Sequence, residues 1–470
     1  MTLNFTINPS AILRESCLLQ QVWAVIKKVL FFLGLVLGSW ALAYLSLFHD
    51  VLFTAIIMVI LVVASINWSF VSVILLVAMA VMQVGLWSET LEFFRPFFLI
   101  SGASLISWYL QFATKKCRHF TRSPQLLLVL VLFFAETFST IRIGWAAYTV
   151  ETFMFWLKIV IIFFLVANLT TNIIQLRLVL WITVLSAVVV GTIAMHTYFY
   201  EPEKLIAGRL AAYGVYDNPN DLALLMVMTW PLAFKLFEAD RSALVKVFLG
   251  FILAIITIVL LLTLSRGGLL GLLVVGLLCL WTSPKLTKKQ KLLVIIPGTL
   301  LALALVPLVL SQRGEESGFS AEDESASHRL LVWEAGGRML LSTHTGIGFE
   351  LFIDNSGDFD GPPNLQAHNT PVKVAAEAGW LALFSYLGMI FLTMKHLLFL
   401  EDDLKKAKIF ELTQEVQALR ISLTGFLVNT SFSVKEYEWA LYIVLGLSLA
   451  AREIYRNIVP TPTERSNLIA

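Results

Sequence analysis

Charged residues are scarce in this sequence of 470 residues: Asp, Glu, Lys and Arg make up 14% of it, whereas 58% of the residues are hydrophobic. A chain with this balance has too little polar surface to fold as a water-soluble globule. Its basic residues form no stripe of the kind that binds nucleic acid, so we expect no nucleic-acid partner. The composition indicates an all-α, polytopic protein of the lipid bilayer.

Cysteine is also scarce, with Cys17, Cys117 and Cys279 as the three examples. They form no C-x-x-C pair and have no histidine partner at ligand spacing, which argues against a disulfide framework and a zinc site. We expect no metal. Residues 1–28 lack the cleavage pattern that follows the apolar core of a signal peptide, so we expect them to be retained on the cytoplasmic side, with Lys27 and Lys28 flanking a first helix.

Long apolar runs dominate what is present, and a helix needs about 20 such residues to cross a bilayer. They lie at about 29–48, 51–64, 68–87, 97–113, 125–141, 153–168, 176–199, 220–237, 243–264, 267–282, 291–311, 371–397, 419–434 and 437–452. The pattern predicts about 12–14 transmembrane helices. The long polar segment from Gln312 to Thr370 separates two strongly apolar regions.

The predicted organisation has five parts: a cytoplasmic segment 1–28, a membrane domain 29–311, an extracytoplasmic loop 312–370, C-terminal transmembrane helices 371–452 and a cytoplasmic tail 453–470. The orientation follows from the positive-inside rule, because it places the basic loops KKCRHFTR and SPKLTKKQK on the cytoplasmic side. Residues 401–417 are too polar to span, so we interpret them as a short helix near the membrane surface or as a connector.

The run from Val245 to Trp281 is too long for one crossing, since forty helical residues would extend about 60 Å. We expect a hairpin that turns at LSRGG, where Gly267 and Gly268 permit the turn and a new helix begins at Leu269. Arg266 would then lie at the outer membrane face, where an arginine either binds an anion or snorkels to the interface. The sequence places Arg209 and Arg329 on the same side.

His368 precedes a second predicted helix start, with Thr370 as the N-cap and Pro371 at the first helical position. The positive end of a helix dipole disfavours an imidazolium, so the ring should be neutral near pH 7 and able to accept a proton from a hydroxyl. The alternative is a histidine that bonds to loop backbone. Other histidines on this side, His196, His328 and His344, do not directly precede such a helix start.

At these residues the sequence resembles the O-antigen ligase and polymerase superfamily of bacterial envelope proteins. The matching motifs follow the order of the family between residues 205 and 380. They are AGRL with Arg209, YDNPNDLA with Asn218 and Asn220, LSRGG with Arg266, HRLLVWEAG with Arg329 and Trp333, GIGFELF, and HNTPVKVAAEAGW with His368, Asn369 and Glu377.

The resemblance implies a GT-C-like, multi-pass protein of the bacterial inner membrane with both termini in the cytoplasm. It implies a metal-independent, inverting glycosyltransferase without a cofactor, whose donor is a polyprenyl-diphosphate-linked glycan. The acceptor is a hydroxyl of a glycolipid or a glycan, and the sequence leaves ligase and polymerase both open.

In that interpretation His368 is the base. Arg209, Arg266 and Arg329 bind the substrate through charge-assisted hydrogen bonds to phosphate oxygens or a sugar acid. Asn218, Asn220, Asn369, Trp333 and Glu377 are supporting residues. Glu377 should point away from the face of His368, because helical residues advance by about 100° each. The alternative functions are a transporter of a small anion or solute and a non-enzymatic scaffold for envelope assembly.

Overall fold

The computed structural model describes residues 51–114, 122–206, 208–293, 295–296 and 319–459. They fall into two compact units. The smaller unit contains the described residues 51–60 and 85–96, and the larger unit contains 61–84 together with the described residues from 97 onward. In the smaller unit, the Ser88 side chain caps a short helix by accepting a hydrogen bond from the backbone N–H of Leu91.

Helices make up nearly all of the regular structure in the described residues. In chain order they are α1 (Val51–Asn67), α2 (Ser69–Met82), α3 (Glu89–Phe94), α4 (Pro96–Ala113), α5 (Pro124–Ile141), α6 (Ala146–Leu169), α7 (Ile173–Tyr200), α8 (Pro219–Ala239), α9 (Ala243–Leu262), α10 (Arg266–Thr282), α11 (Phe319–Thr343), α12 (Phe352–Asn355), α13 (Thr370–Lys406), α14 (Phe410–Thr430) and α15 (Trp439–Ile458). Short 3₁₀ turns lie between several of them.

Seven helical segments in this part of the chain are long and apolar enough to cross a membrane. They are Glu89–Ala113, Pro124–Ile141, Ala146–Leu169, Ile173–Tyr200, Pro219–Ala239, Ala243–Leu262 and Thr370–Lys406. Three shorter apolar helices accompany them. The predicted all-α, polytopic membrane fold is confirmed. The predicted run 29–48 and most of 291–311 lie outside the described residues.

Helix α8 lies at the centre of the larger unit, where it packs against α7, α9, α10 and α14. Helix α13 packs against α5 and α11, and α15 packs against α6. Because short connections join α8, α9 and α10, the start of α8, the end of α9 and the start of α10 lie at one end of the bundle. Helices α13 and α15 begin at the same end, which we call the site face.

The predicted hairpin at LSRGG is present, but the two glycines do not form its turn. Leu264 takes the left-handed backbone conformation (φ 49°), and α10 begins at Arg266 with Ser265 as its N-cap, two residues after that turn. Gly268 instead allows close helix packing, because a Cβ atom there would lie 2.7 Å from the Cβ of Ala223 on α8. The prediction that the new helix begins at Leu269 was wrong because the Ser265 hydroxyl caps an earlier start.

Residues 401–417 do not form a separate short helix, and the connector within them is limited to residues 407–409. The first part ends α13 and the last part begins α14. The polar groups are satisfied between these helices: the Glu401 carboxylate accepts hydrogen bonds from Gln417 (2.9 Å) and Arg420 (2.7 Å). Hydrogen-bonded charges are tolerated in helices that composition alone marks as too polar.

Helix α13 contains a break at Gly379 (φ 81°, ψ −171°) that the apolar pattern of 371–397 did not reveal. The segment before α12 fits into this break. The N–H of Gly348 donates to the carbonyl of Glu377 (2.9 Å), and the N–H of Trp380 donates to the carbonyl of His344 (3.1 Å). These bonds satisfy backbone groups that the break would otherwise leave unpaired inside the protein.

We predict that Gly379→Ala destabilises the protein by about 3–5 kcal/mol, because the new Cβ would overlap the carbonyl oxygen of His344 and the backbone has a positive φ. Gly276→Ala is the matched control, since no atom lies within 4 Å of the position that a Cβ would take there. Thermal unfolding of the two purified variants in detergent measures the difference. Equal unfolding temperatures for both variants and the unmodified protein would contradict the prediction.

Candidate functional site

Four residues singled out in the sequence meet at the site face of the larger unit. Arg209 lies before α8, Arg266 begins α10, Arg329 lies on α11 and His368 comes just before α13. Burial, followed by the positive charge of a neighbouring arginine, lowers the pKa of three of them. The neighbour is Arg266 for Arg209, and it is Arg329 for both Arg266 and His368. The fold therefore gathers into one region residues that are as much as 159 positions apart in the sequence.

Arg209 is held against the α9–α10 turn. Its Nε–H donates to the carbonyl of Thr263 (3.0 Å), and Nη2 donates to Oδ1 of Asn220 (2.9 Å). The same Asn220 oxygen accepts a hydrogen bond from the Ser265 hydroxyl (2.8 Å). A guanidinium has five N–H groups, so two of them fix the side chain and three remain available. Burial, followed by the charge of Arg266, lowers the pKa of Arg209.

Asn218 and Asp221 organise the start of α8. The Asn218 side chain is the N-cap and accepts a hydrogen bond from the N–H of Asn220 (2.9 Å). Its cap orients the helix start that carries Asn220, which in turn holds Arg209. Asp221 forms a buried ion pair with Lys435 (3.0 Å), which links α8 to the segment that precedes α15. Asn218 thus acts on Arg209 through Asn220, whereas Lys435 was not among the residues predicted from the sequence.

Trp333 fixes the backbone just before His368. Its indole Nε1–H donates to the carbonyl of Ala367 (2.8 Å), and it lies one helical turn after Arg329 on α11. His368 itself has a left-handed backbone conformation (φ 45°), which is uncommon for a residue with a side chain. The same helix thus provides both a cation close to the histidine and a hydrogen bond to its loop.

Asn369, not Thr370, is the N-cap of α13, and its side chain accepts a hydrogen bond from the N–H of Val372 (3.2 Å). The prediction of Thr370 as the cap was wrong because its hydroxyl makes tertiary bonds. It donates to the carbonyl of Ser433 (3.0 Å) and accepts from the N–H of Lys435 (3.1 Å). His368 is thereby held on both sides, by Trp333 before it and by the capped helix after it.

The environment of His368 favours the neutral ring. Burial, followed by the positive charge of Arg329, lowers the pKa of His368 below its ordinary value of 6.5. The positive end of the α13 dipole acts in the same direction. A histidine with a lowered pKa is unprotonated at neutral pH and can accept a proton from a hydroxyl group.

Comparison with known proteins supports the resemblance found in the sequence. Residues 250–387 match the family model described as O-antigen ligase. The matched region covers less than a third of the chain.

Two curated relatives are provisionally named polysaccharide ligases. One, from Rickettsia prowazekii, is 26% identical over 199 residues, covering 39% of this chain and 48% of the relative. The other, from Rickettsia typhi, is 24% identical over 200 residues, with the same two coverages. The matched part of the chain thus spans about half the length of these relatives.

The region matched by the family model includes Arg266, Arg329, Trp333 and His368, whereas Arg209 lies outside it. The hydrogen bonds of Arg209 to Thr263 and, through Asn220, to Ser265 connect it to the matched region. The site face is therefore assembled from the matched region and from the segment that leads into α8.

Glu377 is buried inside the larger unit. Its carboxylate accepts hydrogen bonds from the backbone N–H groups of Glu350 (2.8 Å) and Phe352 (2.9 Å). Lys373, one turn earlier on α13, lies 2.7 Å from Glu350, 2.9 Å from Glu436 and 3.6 Å from Glu377. Burial opposes ionisation of Glu350, but the charge of Lys373 and hydrogen bonds leave its pKa lowered.

Sequence reasoning missed this ionic cluster of Lys373, Glu350, Glu377 and Glu436. The one signal available was the spacing of Lys373 and Glu377, which places both on one side of a helix. Glu350 and Glu436 come from separate loops, and nothing in their local sequence indicates that they share a cation.

We predict that Trp333→Phe lowers kcat about tenfold with little change in KM, because it removes the Nε1–H donor that holds the carbonyl of Ala367 and loosens the position of His368. Trp380→Phe is the matched control, since the Trp380 ring stacks on Phe384 away from this bond. Steady-state rates of glycan transfer measure the effect. Equal losses in the two variants would contradict a positioning role for Trp333.

Proposed function

We propose that this protein is a glycosyltransferase of the cell envelope. It transfers a polyprenyl-diphosphate-linked oligosaccharide or polysaccharide to an acceptor hydroxyl of a glycolipid or glycan. The reaction takes place at the periplasmic face of the bacterial inner membrane, with both termini of the multi-pass chain in the cytoplasm. The observation that carries the proposal is the grouping of three arginines with a histidine of lowered pKa at one face, where two of the arginines and the histidine lie in the region that matches the O-antigen ligase family.

The arginines bind the donor. A diphosphate gains negative charge as its bond to the sugar breaks, and guanidinium groups hold phosphate oxygens through two parallel hydrogen bonds. Arg266 and Arg329 repel each other at the site face, and a bound diphosphate relieves that repulsion. The available N–H groups of Arg209 extend the same surface. Such fixed charges supply the stabilisation that a metal ion gives in other transferases, so we propose a metal-independent reaction.

His368 activates the acceptor. Its neutral ring takes the proton from the acceptor hydroxyl as the hydroxyl oxygen forms a bond to the anomeric carbon. The bond from that carbon to the diphosphate oxygen breaks at the opposite face, and the electron pair leaves with the polyprenyl diphosphate. Attack from the opposite face inverts the configuration at the anomeric carbon. The mechanism is the same for ligation and polymerisation, which differ in the acceptor.

The alternative of a small-anion transporter fits this arrangement less well. A transporter binds its solute near the middle of the bilayer, often between broken helices, whereas Arg266 is the first residue of α10 and Arg209 lies in the connection before α8. The break in α13 at Gly379 is occupied by backbone from residues 344–348. A non-enzymatic scaffold, the other alternative, gives no reason for the charges around His368.

We predict that position 368 requires a side chain that can accept a proton, and that a positive charge there does not replace it. His368→Ala should lower transfer by about 100-fold to 10,000-fold, the usual contribution of a general base, while donor binding is retained. His368→Arg should be equally inactive, because an arginine cannot accept the proton. Purified protein in lipid, supplied with a polyprenyl-diphosphate saccharide and an acceptor, gives the rates. Substantial transfer by His368→Arg would show that the position needs a cation, and would end its assignment as the base.

A further inference from the structure

A cavity with a partly cationic lining lies at the opposite end of the larger unit from the site face. It is formed between the start of α5, the last part of α13 and the end of α15, and its volume is about 690 Å³. Ligand pockets in proteins commonly measure about 300–1,000 Å³. Helix α13 begins at the site face with Thr370, and its part after the break at Gly379 rises about 24 Å to Lys395. The cavity therefore lies toward the other end of a helix that is long and apolar enough to cross a membrane.

Positive charge predominates around this cavity. Lys395, Arg452 and Arg456 line it together with the single acid Asp403. Arg456 pairs with Glu453 (2.8 Å), and Asp403 lies near Lys406 (3.7 Å). Arg452 makes no hydrogen bond or ion pair with any residue that the structure describes. The cavity thus has an excess of cations over the acids that face it.

Two side chains that line the same cavity have buried polar atoms without hydrogen-bond partners among the described residues. Gln125 is 4% exposed, and its Oε1 accepts no hydrogen bond. His396 is half-buried, and neither of its ring nitrogens has a hydrogen-bond partner. Leaving a buried polar atom unpaired is unfavourable, so a ligand that carries hydroxyl groups beside an anion would satisfy these atoms.

The remaining wall of the cavity is apolar. Leu392, Phe399 and Leu400 line it, and Phe399 is one of the large hydrophobic side chains exposed on α13. The lining of the cavity is therefore partly cationic and partly apolar, and it includes the last part of a helix that is long enough to cross a membrane. Basic pockets between transmembrane helices on the cytoplasmic side bind the head groups of anionic lipids.

We propose that this cavity binds an anionic phospholipid, with Lys395 and Arg452 on the phosphate, Gln125 and His396 on head-group hydroxyls, and an acyl chain along Phe399. The ligand is distinct from the glycan donor, and its binding does not depend on the proposed transfer reaction.

The test compares lipid retention by native mass spectrometry of the full-length protein, using phosphatidylglycerol and, as the zwitterionic reference, phosphatidylcholine. We expect the unmodified protein to retain phosphatidylglycerol preferentially. The double variant Lys395→Gln/Arg452→Gln should bind it about 30-fold more weakly, as expected for the loss of two basic residues near an anionic group. The single variant Lys395→Gln, at an exposed position, should show a smaller loss in the same direction and serves if the double variant does not fold.

The matched control is Lys288→Gln/Lys289→Gln, which removes two positive charges beyond the end of α10 and away from the residues that line the cavity. It should retain the lipid as the unmodified protein does. Equal retention in all variants, or equal retention of both lipids, would overturn the proposal. Glycerol 3-phosphate is added in a separate arm. If it displaces phosphatidylglycerol at equal concentration, the site recognises a soluble phosphate ester and the assignment to a lipid is wrong.

Discussion

The site face depends on one buried cation, Lys373, and the three carboxylates around it. The ammonium lies 2.7 Å from Glu350, 2.9 Å from Glu436 and 3.6 Å from Glu377. Glu350 belongs to the segment after α11, Glu377 to α13 and Glu436 to the segment before α15. Removing one partner of a buried ion pair typically costs about 3–5 kcal/mol because the other charge is left uncompensated. Lys373 therefore ties together three separate parts of the chain within the first turns of the helix that follows His368.

This ionic cluster helps to hold His368 in a fixed position although His368 lies in a loop. The loop is held by Trp333 on one side and by the Asn369 cap on the other, and the cluster fixes the first turns of α13 to which the cap belongs. The arginines are positioned differently. Arg266 and Arg329 belong to the helices α10 and α11, whereas Arg209 is held in the connection before α8 by its hydrogen bonds to Thr263 and Asn220.

The sequence predicted the structure best where residues that are neighbours in the chain determine it. The apolar runs predicted the membrane helices, and the length of the run 245–281 predicted the hairpin at LSRGG. The helix start after His368 was also correct within one residue. The error between Thr370 and Asn369 arose because both residue types cap helices, and the competing use of the Thr370 hydroxyl by Ser433 and Lys435 is a tertiary contact.

Features that depend on distant residues could not be predicted in this way. The break at Gly379 is satisfied by backbone groups of residues 344–348, and an apolar pattern does not show such a partner. The polar residues of 401–417 enter the bundle against expectation, because the bonds of Glu401 to Gln417 and Arg420 form only after two helices pack. Similarly, the role of Gly268 depends on the approach of Ala223 from α8.

The central claim, that His368 acts as a neutral base beside Arg329, is tested most directly by the pH dependence of kcat/KM. Burial and the charge of Arg329 lower the pKa of His368, so activity in the unmodified protein should rise with pH through a point below 6.5. Arg329→Gln removes the positive charge, and its acid limb should move to higher pH. Arg338→Gln, on the same helix but paired with Glu334 and Asp360, should leave the limb in place. An acid limb that does not move in Arg329→Gln, or activity that falls as pH rises through this region, would contradict the account.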